Sequence, residues 1–67
     1  MYKEYNVVMA KRNLSHNVLK GYIGTIVLVY QRPSLAYEVE FVDSKGDTIE
    51  LLTIQPTDIV LVGSEPI

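Results

Sequence analysis

Two glycines three residues apart, Gly21 and Gly24, open the most β-rich segment of this chain. Residues 22–30 are almost wholly apolar, and residues 36–42 alternate large apolar side chains with glutamates. Alternation with a period of two is typical of a strand with one buried face. A glycine inside a strand marks a bulge, a bend or a close backbone approach. We therefore predict that the two segments form the central hairpin of a very small β-barrel, with Gly24 either at a bend or at a backbone position that excludes a Cβ atom.

Turn-forming residues divide the chain into short strands, expected at residues 6–9, 22–30, 36–42, 48–54 and 59–62. Residues 43–47 predict a tight hairpin in which Gly46 takes a positive φ. Pro56 cannot continue a ladder, so residues 55–58 are expected to form a 3₁₀ turn, and residues 63–67 a tail. Residues 11–17 lack helical periodicity and are interpreted as a loop pinned by Leu14 and Leu19. This order predicts an all-β fold, a small five-stranded SH3-like barrel with one 3₁₀ turn before the last strand.

Length and composition narrow the class of protein. With 67 residues the chain forms one domain, residues 1–67, and without cysteine it has neither disulfides nor thiolate metal sites. The net charge of −2 argues against sequence-independent binding to phosphate backbones. The sequence has no apolar targeting segment, and its longest apolar run is too short to span a membrane, so a cytoplasmic protein is expected.

The apolar pattern predicts both a core and an interface. The predicted core residues are Val7, Leu19, Ile26, Val39, Phe41, Leu51 and Ile59. If Glu50 faces solvent, alternation places Leu52 and Ile54 on the same outer side. Together with Leu28 and Tyr30 of the non-alternating run, these two residues are the candidate protein interface. The apolar fraction of 48% is high for so small a domain, which favours burial against a partner.

No constellation of residues predicts catalysis, a cofactor site or a metal site. His16 is the only histidine and is interpreted as a solvated loop residue. Glu38 and Glu40 are interpreted as the outer face of a strand, and Asp43 and Asp47 as turn residues rather than a calcium loop.

One cluster of basic residues predicts an alternative function. Lys11, Arg12, His16 and Lys20 fall within one loop, with tyrosines nearby. Positive charge combined with stacking is a means of binding RNA. A nucleic-acid partner is nevertheless not the expected one, because acidic residues outnumber basic ones.

The pattern of residues 21–27, the alternating residues 37–43, Gly46 and the pair Asp58 and Ile59 resembles a family of short bacterial proteins known only as a domain of unknown function. The resemblance covers residues 5–61 and implies an SH3-like barrel without known catalytic residues. Gly21-x-x-Gly24-x-Ile26 is also similar to the KOW motif, a module that binds RNA or protein. At the level of fold, the chain is similar to the small peripheral subunit of photosystem I and to the β-subunit barrel of nitrile hydratase.

These observations predict a protein that is not an enzyme. We expect a protein-interaction or accessory module that acts by self-association or by docking onto a larger bacterial assembly. The alternative is a KOW-like RNA-binding module that uses the basic loop, residues 11–20.

Overall fold

The computed structural model describes residues 1–64, which form five strands and one short 3₁₀ helix. The strands are β1 (Asn6–Ala10), β2 (Ile23–Tyr30), β3 (Ala36–Val42), β4 (Thr48–Ile54) and β5 (Ile59–Ser64), and the 3₁₀ helix is Pro56–Asp58. The all-β prediction and the 3₁₀ turn before the last strand are confirmed. β5 continues through Gly63 and Ser64, which the sequence assigned to a tail. The rest of the predicted tail, residues 65–67, lies outside the described residues.

All five strands lie in one antiparallel sheet, in the order β4-β3-β2-β1-β5. The central hairpin predicted from the sequence is the β2–β3 pair. The last strand returns beside the first, an order compatible with an SH3-like barrel. Within residues 1–64, no helix is long and apolar enough to cross a membrane.

β2 contains one residue that has no partner in β3. Ile26 and Leu28 pair with successive residues of β3, which leaves Val27 unpaired as a β-bulge. The bulge shifts the alternation, so Ile26 and Val29 pack in or against the core while Leu28 and Tyr30 remain exposed. The unbroken apolar run in the sequence is therefore one strand, in which the alternation of inward and outward side chains shifts by one residue at the bulge.

The core lies on one side of the sheet. Its buried residues are Val8, Ala10, Val18, Ile26, Tyr37, Val39, Phe41, Ile54 and Ile59. Four predicted core residues are confirmed among them: Ile26, Val39, Phe41 and Ile59. Val7 is only half-buried, because it alternates with Val8 and lies on the other face of β1. The predictions for Leu19 and Leu51 are wrong, since these side chains are 41% and 53% exposed.

β4 faces the opposite way from the prediction. Leu52 and Ile54 pair with core residues of β3, and Ile54 is only 4% exposed. Glu50 lies on the same side, where the Ser15 hydroxyl donates to its Oε1 at 2.6 Å. This hydrogen bond lets a half-buried carboxylate face inward. The prediction that Leu52 and Ile54 form an outward interface is therefore wrong.

The loop between β1 and β2 is fixed by Val18. The N–H groups of Leu14 and Ser15 donate to the Val18 carbonyl at 2.8 and 3.2 Å, and the Val18 N–H donates to the Ser15 hydroxyl at 3.0 Å. Val18 is fully buried, and Leu14 packs against the core beside it. Leu14 was correctly predicted to pin the loop, whereas Val18 takes the role assigned to Leu19.

Two glycine predictions concern backbone geometry, and both are confirmed. Gly46 has a φ of +85°, and its N–H donates to the Asp43 carbonyl at 3.0 Å within the β3–β4 turn. A Cβ atom on Gly24 would lie 2.6 Å from Val39 Cγ1. The close approach of β3 thus excludes a side chain at position 24.

Candidate interaction surface

The outer face of the sheet, opposite the core, carries a continuous row of apolar side chains. Val60 pairs with Met9, Met9 with Ile23, and Ile23 with Val42, so four adjacent strands each contribute one residue. Val60 and Ile23 are 38% and 36% exposed, and Met9 and Val42 are half-buried. Directly paired residues in a sheet hold their Cβ atoms about 4.5–5.5 Å apart, close enough for mutual contact. We call these four residues the outer apolar row.

The outer apolar row ends at a cleft between the start of β2 and the β3–β4 hairpin. The cleft has a volume of about 510 Å³ and is lined by Gly21, Tyr22, Ile23, Val42, Asp43, Ser44 and Ile49. Ile23 and Val42 belong to both features. The Asp43 carboxylate accepts hydrogen bonds from the N–H groups of Lys45 and Asp47 at 2.8 and 3.0 Å, so it shapes the turn beside the cleft. The cleft is thus an apolar recess with one acidic rim.

Two carboxylates occupy the same outer face beyond the row. Glu38 and Glu40 are half-buried, and each accepts a hydrogen bond from a threonine of β4. Thr53 donates to Glu38 Oε1 at 2.6 Å, and Thr48 donates to Glu40 Oε2. The hydrogen bonds hold both carboxylates against the sheet. The outer face therefore combines an apolar row with fixed negative charge.

The four residues of the predicted interface separate into two pairs. Leu28 and Tyr30 are 42% and 38% exposed and lie on the outer face, since Leu28 pairs with Glu38. Leu52 and Ile54 lie on the core side of β4, where Ile54 is buried and Leu52 is half-buried against the core. Half of the predicted interface thus lies on the surface that carries the outer apolar row.

The basic residues of the loop are all exposed. They are Lys11, Arg12, His16 and Lys20. The Arg12 Nε donates to Asp58 Oδ1 at 2.9 Å, so its charge is partly neutralised within the chain. A second recess of about 410 Å³ lies on the same loop and is lined by Asn13, Leu14, Ser15, His16 and Leu19.

The described part of the chain holds few groups suited to chemistry. Within residues 1–64, no three histidine, cysteine or acidic side chains come together as a metal site. No charged residue of this part is fully buried, and the hydroxyl of the buried Tyr37 accepts a hydrogen bond from the Tyr2 N–H at 2.8 Å. The surface features suited to binding are the recesses, the exposed apolar side chains and the charged side chains.

Sequence reasoning missed the outer apolar row because the row exists only in the register of four strands. Met9 and Val60 lie in short strands whose alternation is too brief to assign a face. For Ile23 and Val42 the sequence predicts a place in a strand but no place in a surface. The signal in the sequence was the apolar excess itself, which indicated an exposed surface without locating it.

The sequence was compared with known protein families, curated proteins and solved structures. A family model described as "Domain of unknown function (DUF4926)" matches residues 4–61. No curated protein and no solved structure matches the sequence.

Proposed function

Since the chain belongs to the DUF4926 family of domains, whose description names no activity, we propose a function from its own surface: a non-catalytic protein-interaction module. The module acts by docking its outer sheet face onto a partner protein or by self-association. The observation that carries this proposal is the outer apolar row, which a rigid sheet presents as one surface. Contiguous exposed apolar surface is typical of sites that bind proteins.

The chemistry of the face supports a docking partner with particular side chains. Burial of apolar area stabilises a complex by about 25 cal/mol per Å², so the row favours a partner segment with large apolar side chains. The cleft beside Ile23 and Val42 accommodates one such side chain. Glu38 and Glu40 lie on the same face and favour lysine or arginine next to that segment. The expected docking partner is a protein surface whose apolar residues are flanked by basic ones.

The positions of the side chains also support the proposal that the module is not an enzyme. Nucleophilic catalysis needs a base oriented beside the nucleophile, and His16 is exposed on a loop. The exposed basic loop supports the alternative, an RNA-binding module. The ion pair between Arg12 and Asp58 weakens that alternative, because it reduces the charge available to phosphate.

The docking proposal is tested by measuring the affinity of the purified protein for a partner isolated with it from its own cells. Ile23→Lys places a charge at the centre of the outer apolar row and next to the cleft. We expect this variant to bind the partner at least about 10-fold more weakly, a difference of about 1.4 kcal/mol. Calorimetry on the purified pair provides the measurement.

Leu19→Lys is the matched control, because Leu19 has similar exposure but lies on the loop, where it lines the second recess and not the cleft. It should leave the affinity unchanged. Equal weakening by both variants, or by neither, would contradict docking through the outer apolar row. Thermal melts of both variants establish that each is folded at the temperature of the assay.

A further inference from the structure

β5 presents an open edge to solvent. It pairs with β1 on one side, and among residues 1–64 no strand pairs with its other side. The Lys11 N–H donates to the Asp58 carbonyl at 2.9 Å. This bond determines which residues at the start of β5 direct their backbone groups to β1. In an antiparallel pair, hydrogen-bonded and non-hydrogen-bonded residues alternate. The N–H and C=O of Val60 therefore point to β1, and those of Ile59 and Leu61 point to the open edge.

An independent hydrogen bond supports this assignment of the backbone directions in β5. The Ala10 N–H donates to the Tyr22 carbonyl at 2.9 Å and so points to β2, the opposite side of β1 from β5. Its neighbours Met9 and Lys11 must then point to β5. Since Met9 pairs with Val60, the two bonds give the same assignment.

Within residues 59–64 the open edge lacks two of the features that usually prevent strands from pairing, charge and proline, while a bulge at Val62 limits the regular stretch of the edge. Natural sheets protect edges with charged residues, proline or a covering segment. β5 has the sequence Ile-Val-Leu-Val-Gly-Ser, without charge or proline, and the exposed fractions of Leu61 and Val62 are 47% and 56%. The other edge strand, β4, contains Glu50, which the loop residue Ser15 contacts. β5 is therefore the edge at which a second strand is accommodated without opposing charge.

We propose that β5 pairs antiparallel with β5 of a second copy of this chain, about a two-fold axis at Val60. This register places Ile59 opposite Leu61 of the second copy, and Leu61 opposite its Ile59. Both residues point their backbone groups to the edge, so two hydrogen-bonded pairs form, each exchanging two bonds. An uncharged strand is complementary to itself in this arrangement, as a symmetric dimer requires.

The same register joins the two outer apolar rows. Val60 lies on the outer face and is the last residue of its row, so it meets Val60 of the second copy across the axis. A single row then runs from Val42 of one copy to Val42 of the other. The 3₁₀ turn ends at Asp58, and Val62 is left unpaired by the register shift in β5, so the ladder is confined to three residues. We therefore expect a weak, concentration-dependent dimer.

This inference rests on the proposed function, because it names the partner for self-association. It is tested separately from docking, which Ile23→Lys examines. The chain has no cysteine, so a single introduced cysteine can form a disulfide between chains only with the same cysteine of a second copy. A non-hydrogen-bonded pair holds its Cα atoms about 4.5 Å apart, which lies within the range a disulfide spans. Val60→Cys is thus expected to form a disulfide-linked dimer under mild oxidation.

Ile23→Cys and Leu51→Cys are the matched controls. Ile23 is as exposed as Val60 on the same row, yet two copies of it would lie five strand spacings apart, about 24 Å. Leu51 is exposed on the other edge strand. We expect Val60→Cys to cross-link at least about 10-fold faster than either. A rate no faster than that of Ile23→Cys, or an equal rate for Leu51→Cys, overturns the proposal.

Sedimentation of the wild type provides the measurement that needs no variant. The mass of the 7.6 kDa chain should approach twice its monomer value as concentration rises. Because interfaces below about 1,200 Å² are generally weak, the series must extend to about 1 mM. A monomer throughout overturns the β5 pairing and leaves docking to be decided by Ile23→Lys. Val60→Lys, which opposes two charges at the axis, should remain monomeric, and a dimer of this variant overturns the register.

Discussion

Gly24 is the residue at which the sheet leaves no room for a side chain. A Cβ atom there would lie 2.6 Å from Val39 Cγ1 and 3.0 Å from the Glu40 carbonyl oxygen. The second contact is with backbone in the middle of a ladder, which has little freedom to move. We expect Gly24→Ala to lower the free energy of unfolding by about 1–3 kcal/mol, the usual cost of overpacking. Urea denaturation measures this change.

Gly63→Ala is the control for that prediction. Gly63 also lies in a strand, but a Cβ atom on it meets nothing within 4 Å and its φ lies outside the left-handed region. Alanine there reduces the entropy of the unfolded chain, so stability should be unchanged or rise by up to about 1 kcal/mol. Equal losses in the two variants would mean that the crowding at Gly24 has no energetic effect.

Gly46 tests backbone strain without crowding. Its φ is +85°, and a Cβ atom would meet nothing within 4 Å. Gly46→Ala should therefore cost about 1–2 kcal/mol from the left-handed conformation alone. Gly46→Asn should cost less, because asparagine adopts this conformation more readily than other residues. Thermal melts compare the two, and an asparagine variant less stable than the alanine variant would contradict this account of the turn.

At the scale of single elements, β4 provides the clearest test of the register. Leu51 and Leu52 are adjacent and chemically identical but lie on opposite faces of the sheet. Leu52 packs against the core, whereas Leu51 is largely exposed. Leu52→Ala should therefore destabilise by about 1–3 kcal/mol. Leu51→Ala should change stability by less than about 0.5 kcal/mol.

Denaturation of both leucine variants under identical conditions decides between the two faces. The sequence alone predicts the reverse order, in which Leu51 is the core residue. A larger loss for Leu51→Ala would restore that prediction and contradict the pairing of β4 with β3.

The face of β4 was beyond sequence reasoning for two physical reasons. Each alternating set of this strand contains two large aliphatic residues, so hydrophobicity does not choose between them. The sequence prediction of the two faces depends on Glu50 facing solvent. In the structure Glu50 faces inward, a position that depends on Ser15, 35 residues away. In addition, the register skips Ile49, which ends strict alternation within the strand. The strand bounds of β3 and β4 and the turn at Gly46 were predictable because local alternation and turn chemistry determine them.

The candidate surface was predictable in the same limited way. Leu28 and Tyr30 were identified because their apolar run was too long for one small core, and both are exposed. The outer apolar row depends on the pairing of four strands, which no local pattern encodes. Alternation predicts which residues share a face within one strand. The alignment of those faces between strands depends on bulges and long-range contacts.

At the scale of the whole molecule, the distribution of charge argues for a protein partner over RNA. The net charge is −2, and Glu38 and Glu40 lie on the outer face. Affinity for nucleic acid depends on how many phosphates the basic side chains neutralise. Among residues 1–64, Lys11 and Lys20 of the loop form no salt bridge, while Arg12 is paired with Asp58. A surface with so few available cations attracts a phosphate backbone weakly.

We therefore expect the protein to bind single-stranded RNA more weakly than about 1 µM at physiological salt. Fluorescence anisotropy over a salt series measures the affinity, and the double variant Lys11→Ala with Lys20→Ala tests the loop. Lys3→Ala with Lys45→Ala is its control, because it removes the same charge from exposed positions outside the loop. Sub-micromolar binding that weakens steeply with salt and is lost only in the loop variant would establish the RNA-binding alternative, because only a specific basic site distinguishes two variants of equal net charge.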